Sequence, residues 1–277
     1  MTNDKLNMFL ENMETERKSL KTIDRYNEYI CDMLSFVKKS EEDIKVADLV
    51  NWKISMKKLS SATIACRIAS VKSYFRFLKN MGFIKEDVSD NHTFKAPTIK
   101  NKPTEFIPFA DAIDMIKATQ NPREKAIIAV YLTTGIRVSE LVNLTLSNIE
   151  SDMIDIKVKG DKIRAIYINE DCKGYIKDYL KVRKASEYDN LFISNHGTPM
   201  NTQCLTAMLR KLARKIGAND KITNHSMRHT VVTALGNANG IASASQFVGH
   251  ANVATTQRYF HTSKDDIKSM SMGLNLG

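Results

Sequence analysis

Strand-like alternation occupies very little of this chain, and that scarcity limits its fold more than any other property. Ile154, Ile156 and Val158 alternate with other residues, the chain turns at KGDK with Gly160 at the tip, and Ile166 and Ile168 resume the alternation. That pattern predicts one β-hairpin. A second short strand pair is expected to flank the NHGTP segment. Elsewhere apolar residues return mostly at three- and four-residue intervals, the period of a helix with one buried face. The expected fold is therefore mainly α with small β-hairpins.

The clearest helical stripe lies between Leu59 and Met81, where Ile64, Ile68, Val71, Tyr74, Phe75 and Leu78 share a face and Ser60 or Ser61 offers an N-cap. Earlier helices are predicted for Asp4 to Thr15, Thr22 to Lys39 and Val46 to Met56, which together make a small helical unit. From Asp87 to Phe106 the periodicity lapses into a polar stretch with Pro97 and Pro103, which reads as a linker. For 277 residues two domains are the natural expectation. Residues 1–86 are expected to form a helical domain, 87–106 the linker and 107–277 a second domain. The second domain is predicted to open with helices at Phe109 to Thr119, Arg123 to Thr133 and Val138 to Leu144. The hairpin and a helix from Asp171 to Lys184 follow, and the remainder reads as helical apart from the NHGTP strands.

Charge points to the partner. Lys and Arg number 41 against 31 Asp and Glu, a net +10, and the excess is uneven. Residues 1–50 hold 8 basic and 11 acidic side chains, whereas residues 51–100 hold 10 and 3, a local +7. Arg67, Lys72, Arg76 and Lys79 fall on the polar face of the 59–81 helix, and the first three are candidates for contacts to DNA phosphates. An ordinary solvated face has the same look, a reading that the scarcity of acids here weakens to parity. No run of 18 apolar residues exists and the N-terminal segment is polar, so a cytoplasmic protein is expected. Cys31, Cys66, Cys172 and Cys204 are far apart and form no C-x-x-C pair, so they are expected to be reduced core residues.

Five segments carry residues that can act on a phosphodiester, each weak alone. TTGIRVSEL puts Arg137 just after a helix-ending Gly135, although Arg137 and Glu140 also fit a surface pair at i, i+3. TNHSMRHT opens a helix with His225 and Arg228 one turn apart, where a lone His is usually structural. VGHAN holds His250 in a turn. TTQRYFHT holds Tyr259, by default a half-buried aromatic. Lys159 sits at the hairpin tip, with Lys157 and Lys162 close enough to share its role.

Together, and in this order, the segments resemble the tyrosine recombinases, the family of phage integrases and Xer-type enzymes. R-V-S-E-L, the lysine before the hairpin glycine, H-S-M-R-H-T, G-H-A-N and T-T-Q-R-Y-F-H follow the family's order, with its spacing of nine residues between His250 and Tyr259. LSSATIACRIASVKSYFRFL resembles the last helix of the family's core-binding domain. Met227 and Phe247 stand where Leu is common, apolar exchanges that repacking absorbs. The resemblance implies a SAM-like helical core-binding domain followed by a tyrosine-recombinase catalytic domain. The short Xer-like architecture, without a preceding arm-binding domain, is expected.

The chemistry explains the set. Phosphodiester attack builds charge on non-bridging oxygens, and two guanidiniums can hold them through bidentate, permanently charged contacts. Arg137 and Arg228 would do this. The acids near the motifs are scattered rather than clustered, so no metal is expected, and no other cofactor. The resemblance makes Tyr259 the nucleophile, leaving a 3′-phosphotyrosine and a free 5′-hydroxyl without ATP. It makes His225 the base, Lys159 the general acid and His250 a phosphate ligand, and it gives Glu140 an orienting part. It implies double-stranded DNA recombination sites as partner, a homotetramer acting on two sites through a Holliday junction, and an accessory DNA-bending or excisionase protein. A non-catalytic DNA-binding regulator on the same fold, disfavoured by the intact set, and a type IB topoisomerase-like relaxing enzyme are the alternatives. After Tyr259, Ile267, Met270 and Leu274 form a short stripe expected to dock either on its own catalytic domain or on a neighbouring protomer.

Overall fold

The computed structural model describes residues 4–99, 106–151, 153–158 and 162–249. The chain divides into two compact units, Met1–Asn101 and Lys102–Gly277.

The first unit is helical. α1 (Asp4–Thr15), α2 (Leu20–Val37), α3 (Val46–Ser55) and α4 (Ser61–Asn80) enclose a core that includes Phe9, Ile30, Met33, Trp52, Tyr74 and Phe75. α2 begins earlier than its stripe suggests because Ser19, not a later residue, caps it, accepting from the Thr22 backbone N–H at 3.3 Å. Its end is set by Lys38, which turns the chain with φ +54° and donates its N–H to Leu34 O. α4 carries the predicted stripe, and Ser60 caps it by accepting from Thr63 N–H at 3.1 Å. The buried Tyr74 hydroxyl donates to Glu41 at 2.8 Å, which satisfies the one polar atom that this aromatic takes into the core. Residues of the polar stretch after Asp87 pack on this unit. Val88–Asp90 forms a 3-10 turn, and Phe94 is fully buried 6.4 Å from the Trp52 ring.

The second unit is built around α6 (Pro122–Thr134), a helix buried nearly all round, with Ile127, Ile128, Val130 and Tyr131 fully enclosed. Burying an aliphatic side chain of this size stabilises by about 1.5–3 kcal/mol relative to exposure, and α6 does so on several faces at once. α5 (Phe109–Ala118), α8 (Glu170–Val182) and α10 (Asn224–Asn239) pack around it, and α9 (Thr202–Lys215) packs on α5 and α10. Asn224 ties three helices together. It accepts from the Tyr131 hydroxyl at 3.0 Å and donates to Thr202 O at 3.0 Å and Thr206 Oγ1 at 2.7 Å. α7 (Val138–Val142) follows α6 directly, and α11 (Ile241–Val248) packs against α10. The hairpin forms as the alternation predicts: β1 (Met153–Val158) pairs antiparallel with β2 (Lys162–Tyr167), Ile154 opposite Ile166 and Ile156 opposite Arg164.

Two expectations need correction. The strand pair flanking NHGTP is a single bridge between Ile193 and Pro199. The turn closes, Ser194 N–H donating to Thr198 O at 2.7 Å with Gly197 at φ +79° and Met200 N–H to Phe192 O at 3.2 Å, but the next N–H along, that of Leu191, donates to Leu144 O instead. The chain then leaves through Asn201, which caps α9. The cysteines are not all core residues. Cys172 is buried and desolvation pushes its thiol up to about 11, whereas Cys31, Cys66 and Cys204 are exposed. Cys31 and Cys204 each sit one residue from a core position, Ile30 and Leu205, and Cys66 two from Ile68, rotations of roughly 100° per residue that turn them off the buried stripe.

Candidate active site

The site begins where α6 ends. Gly135 takes φ +57° and donates its N–H to Tyr131 O at 2.9 Å, so the helix stops there and the chain turns through buried Ile136 to Arg137. A side chain at 135 is disfavoured twice, by its left-handed backbone and because a Cβ would lie 3.0 Å from Val248 Cγ1. Arg137 precedes α7, and Glu140, in the first turn of α7, folds back on it. The Arg137 backbone N–H donates to Glu140 Oε2 at 2.9 Å and its guanidinium to Oε1 at 2.8 Å. The i, i+3 pair therefore exists but is not a surface pair, because only 5% of the Glu140 side chain is exposed against 38% for Arg137. Burial pushes the Glu140 carboxyl up, but the Arg137 N–H and guanidinium and the charge of Arg164 outweigh it and hold the pKa below the ordinary carboxylate value. Glu140 stays ionised and fixes the corner.

Thr223 caps α10, accepting from Ser226 N–H at 3.3 Å, and so sets which residues of the HSMRHT segment face inward. Arg228, one turn in, is 2% exposed. Its guanidinium donates to Gly135 O at 2.6 Å and to Val248 O at 2.5 Å, joining the end of α6 to the end of α11. His225, between buried Asn224 and Ser226 in the first turn, is exposed, its ring edge-on to that of His229 with centroids 4.5 Å apart. Desolvation on its inner side, then the charges of Arg228 and Arg137, lower its pKa from the ordinary 6.5. The imidazole is thus neutral at neutral pH, as a general base must be. Arg137, Glu140, His225 and Arg228 are brought together from two separate segments.

The hairpin supplies a residue that motif reading overlooked. Arg164 stands on β2 opposite Ile156, on the strand face that buries Ile154 and Ile166, and reaches Glu140 Oε2 at 3.2 Å and Phe247 O at 2.9 Å. The alternation already carried the signal, since it puts position 164 on the inward side with Ile166 and Ile168. His229, buried beside His225, was also passed over. Lys157 and Lys162 lie on β1 and β2. Lys159, His250 and Tyr259, and the tail stripe of Ile267, Met270 and Leu274, fall outside the described residues.

In the first unit the candidate DNA-contacting residues differ in their commitments. Arg67 is engaged locally, paired with Asp32 at 2.7 Å and stacked 4.8 Å from the centre of the Tyr29 ring. Asp32 also accepts from Trp52 Nε1 at 2.9 Å. Lys72 is half-buried and Arg76 exposed on the outer side of α4.

Comparison with known proteins identifies the family. Residues 105–266 match the phage integrase family model, and residues 6–82 match the phage integrase N-terminal SAM-like domain. The tyrosine recombinase XerD of Halalkalibacterium halodurans is 29% identical across 97% of this chain and 96% of its own. The tyrosine recombinase XerC of Thermodesulfovibrio yellowstonii is 27% identical across 91% and 90%. The crystal structure of XerA recombinase matches with a TM-score of 0.55 at 30% identity, covering 99% of this chain and 98% of that one. The Tn1549 transposon integrase in complex with a circular intermediate DNA shares the fold, with a TM-score of 0.73 at 21% identity over 98% and 99%. The catalytic-domain match alone spans more than half of the sequence, and the chain accordingly belongs to the phage integrase family of tyrosine recombinases.

Proposed function

We propose that this protein is a site-specific recombinase that cuts and rejoins double-stranded DNA through a 3′-phosphotyrosine. The observation that carries the reading is the convergence of Arg137 and Arg228, with a neutral His225 beside them, at the end of the helix that leads into His250. In the reaction, the Tyr259 phenolic oxygen bonds to the scissile phosphorus while the bond from phosphorus to the 5′-oxygen breaks. His225 accepts the phenol proton, and Lys159 gives a proton to the departing 5′-oxygen. Arg137, Arg228 and His250 hold the charge that develops on the non-bridging oxygens. The phosphotyrosine keeps the bond energy, so a 5′-hydroxyl from a second strand reverses the steps and rejoins DNA. Exchange between two sites calls for a tetramer of this chain, with an accessory DNA-bending or excisionase protein where direction is imposed.

A nicked suicide substrate, which loses its 5′-hydroxyl fragment after cleavage, tests the reading by accumulating covalent protein–DNA complex. The absence of any such complex on a substrate carrying the protein's own site would overturn it.

His225 gives a pH signature. The neutral imidazole is the working form, and because its pKa is lowered that form persists to lower pH than an ordinary histidine would allow. The rate of covalent-complex formation should therefore hold steady through neutrality, with its acid limb below pH 6.5, the unshifted value. An acid limb above that value would remove His225 from the role of base.

The proposed DNA face of α4 makes a further prediction. Reversing Lys72 and Arg76 to Glu should weaken binding to specific and random duplexes alike, and lower the slope of log affinity against log salt by about 0.9 per lost phosphate contact. Arg67, held by Asp32, should contribute less when changed to Gln. An unaltered slope in the double variant would make this an ordinary solvated face.

A further inference from the structure

Three segments that carry the proposed catalytic groups meet at one side chain that is itself no part of the motif set. Arg164 projects from β2, the strand that returns from the hairpin tip where Lys159 stands in the sequence. Only 9% of its side chain is exposed. One guanidinium nitrogen donates to Glu140 Oε2 at 3.2 Å, the carboxylate that holds Arg137. The other donates to Phe247 O at 2.9 Å, the carbonyl next to the Val248 carbonyl that holds Arg228. The following residue, Gly249, has φ +66°, and a Cβ there would sit 2.5 Å from Arg164 Cδ, so the chain leading into His250 is shaped around this arginine.

We infer that Arg164 is a positioning residue that locks the hairpin, the Arg137–Glu140 corner and the end of α11 into one rigid frame. This rests on the catalytic reading given above for Arg137 and Arg228. Its role here is positioning, because its guanidinium spans the Glu140 carboxylate and the Phe247 carbonyl and so ties β2 to both. Its charge has a second consequence. Arg137 and Glu140 alone sum to neutrality, and a second cation on the same carboxylate leaves the corner net positive towards an incoming phosphodiester. A lysine cannot replace it, since one ammonium on a flexible stem does not span a carboxylate and a carbonyl in fixed directions.

The test uses the full chain with Arg164→Lys and Arg164→Met, after trapping by the wild type and its loss in Tyr259→Phe have been established as the separate check of the underlying reading. Arg164→Lys, which keeps the charge, should bind duplex with unchanged Kd, and both variants should form covalent complex about 10- to 100-fold more slowly at saturating protein, the size of effect that misplacement of a catalytic group produces. Arg164→Met should also steepen the acid side of the cleavage rate at a higher pH than the wild type does, below the limb that His225 sets. The groups facing Glu140 among the described residues are Arg137 from the corner and Arg164 from β2, and loss of either lets its carboxyl protonate earlier and release the corner. His225, shifted by Arg228 and Arg137, keeps its own titration. Should Arg164→Met fail to fold, Arg164→Lys carries the rate measurement, with the folded fraction read by circular dichroism. Cleavage within twofold of wild type in the variants that fold would overturn the inference. So would a slowed rate matched by an equal fall in folded protein, or an acid side that steepens no earlier than in the wild type in a folded Arg164→Met.

Discussion

Tyr259→Phe is expected to abolish covalent attachment to a nicked suicide substrate while leaving duplex affinity unchanged. The exchange removes one oxygen and keeps the ring, so whatever packing the aromatic makes survives and only the proposed nucleophile is lost. A phenol is a poor nucleophile at neutral pH, with a pKa of about 10, and the proposed reaction corrects that with a neutral imidazole to take the proton and two guanidiniums to favour the anionic product. With no hydroxyl to act on, those groups retain their positions but have nothing to activate. The measurement is a denaturing gel of protein shifted by its attached strand, with filter binding on the same substrate as the affinity control. A shifted band at wild-type intensity from the Phe variant would move the nucleophile to another residue and return Tyr259 to the status of an ordinary half-buried aromatic.

Much of the site was legible because motifs and helix signals coincide. Gly135 before Arg137 announced a helix end, Thr223 before His225 and Arg228 announced a helix start, and the structure has both. The burial of Glu140 was not legible, because an i, i+3 Arg–Glu pair reads the same on a surface and in a corner; what buries it is a strand 24 residues away that delivers Arg164. Arg164 was legible in principle from alternation alone, but a basic residue in a hairpin rich in lysines looks like solvated charge until the register is known. The cysteines mislead for a related reason, since on a helix a shift of one position from the stripe turns a small apolar residue outward. The NHGTP segment announced its turn correctly, but the ladder that the flanking apolar residues suggested stops at one bridge because Leu191 N–H pairs with Leu144 O and Asn201 already caps α9.

Arg228→Lys should be the most damaging change that leaves the nucleophile in place, lowering the rate of first-strand cleavage by at least about 100-fold, the scale on which loss of one oriented donor to a transition-state oxyanion is felt. Unlike Arg137, which keeps 38% of its side chain in solvent, Arg228 is buried at 2% exposure. Its guanidinium spans two backbone carbonyls, Gly135 O and Val248 O, that terminate different helices. An ammonium can meet one of them, and the other loses a charged donor in the interior, at a cost of about 1–3 kcal/mol. Burial also disfavours the charged form of a lysine, so part of the positive charge meant for the phosphate disappears at neutral pH. Arg137→Lys, by contrast, should retain its charge and its fold and lose only the bidentate geometry, a severe defect in cleavage with an unchanged Tm. The pair is therefore separated by two measurements, single-turnover trapping at saturating protein and thermal unfolding without DNA. Near wild-type trapping by Arg228→Lys would mean that the guanidinium at this position serves only to join α6 to α11, and that Arg137 alone faces the phosphate.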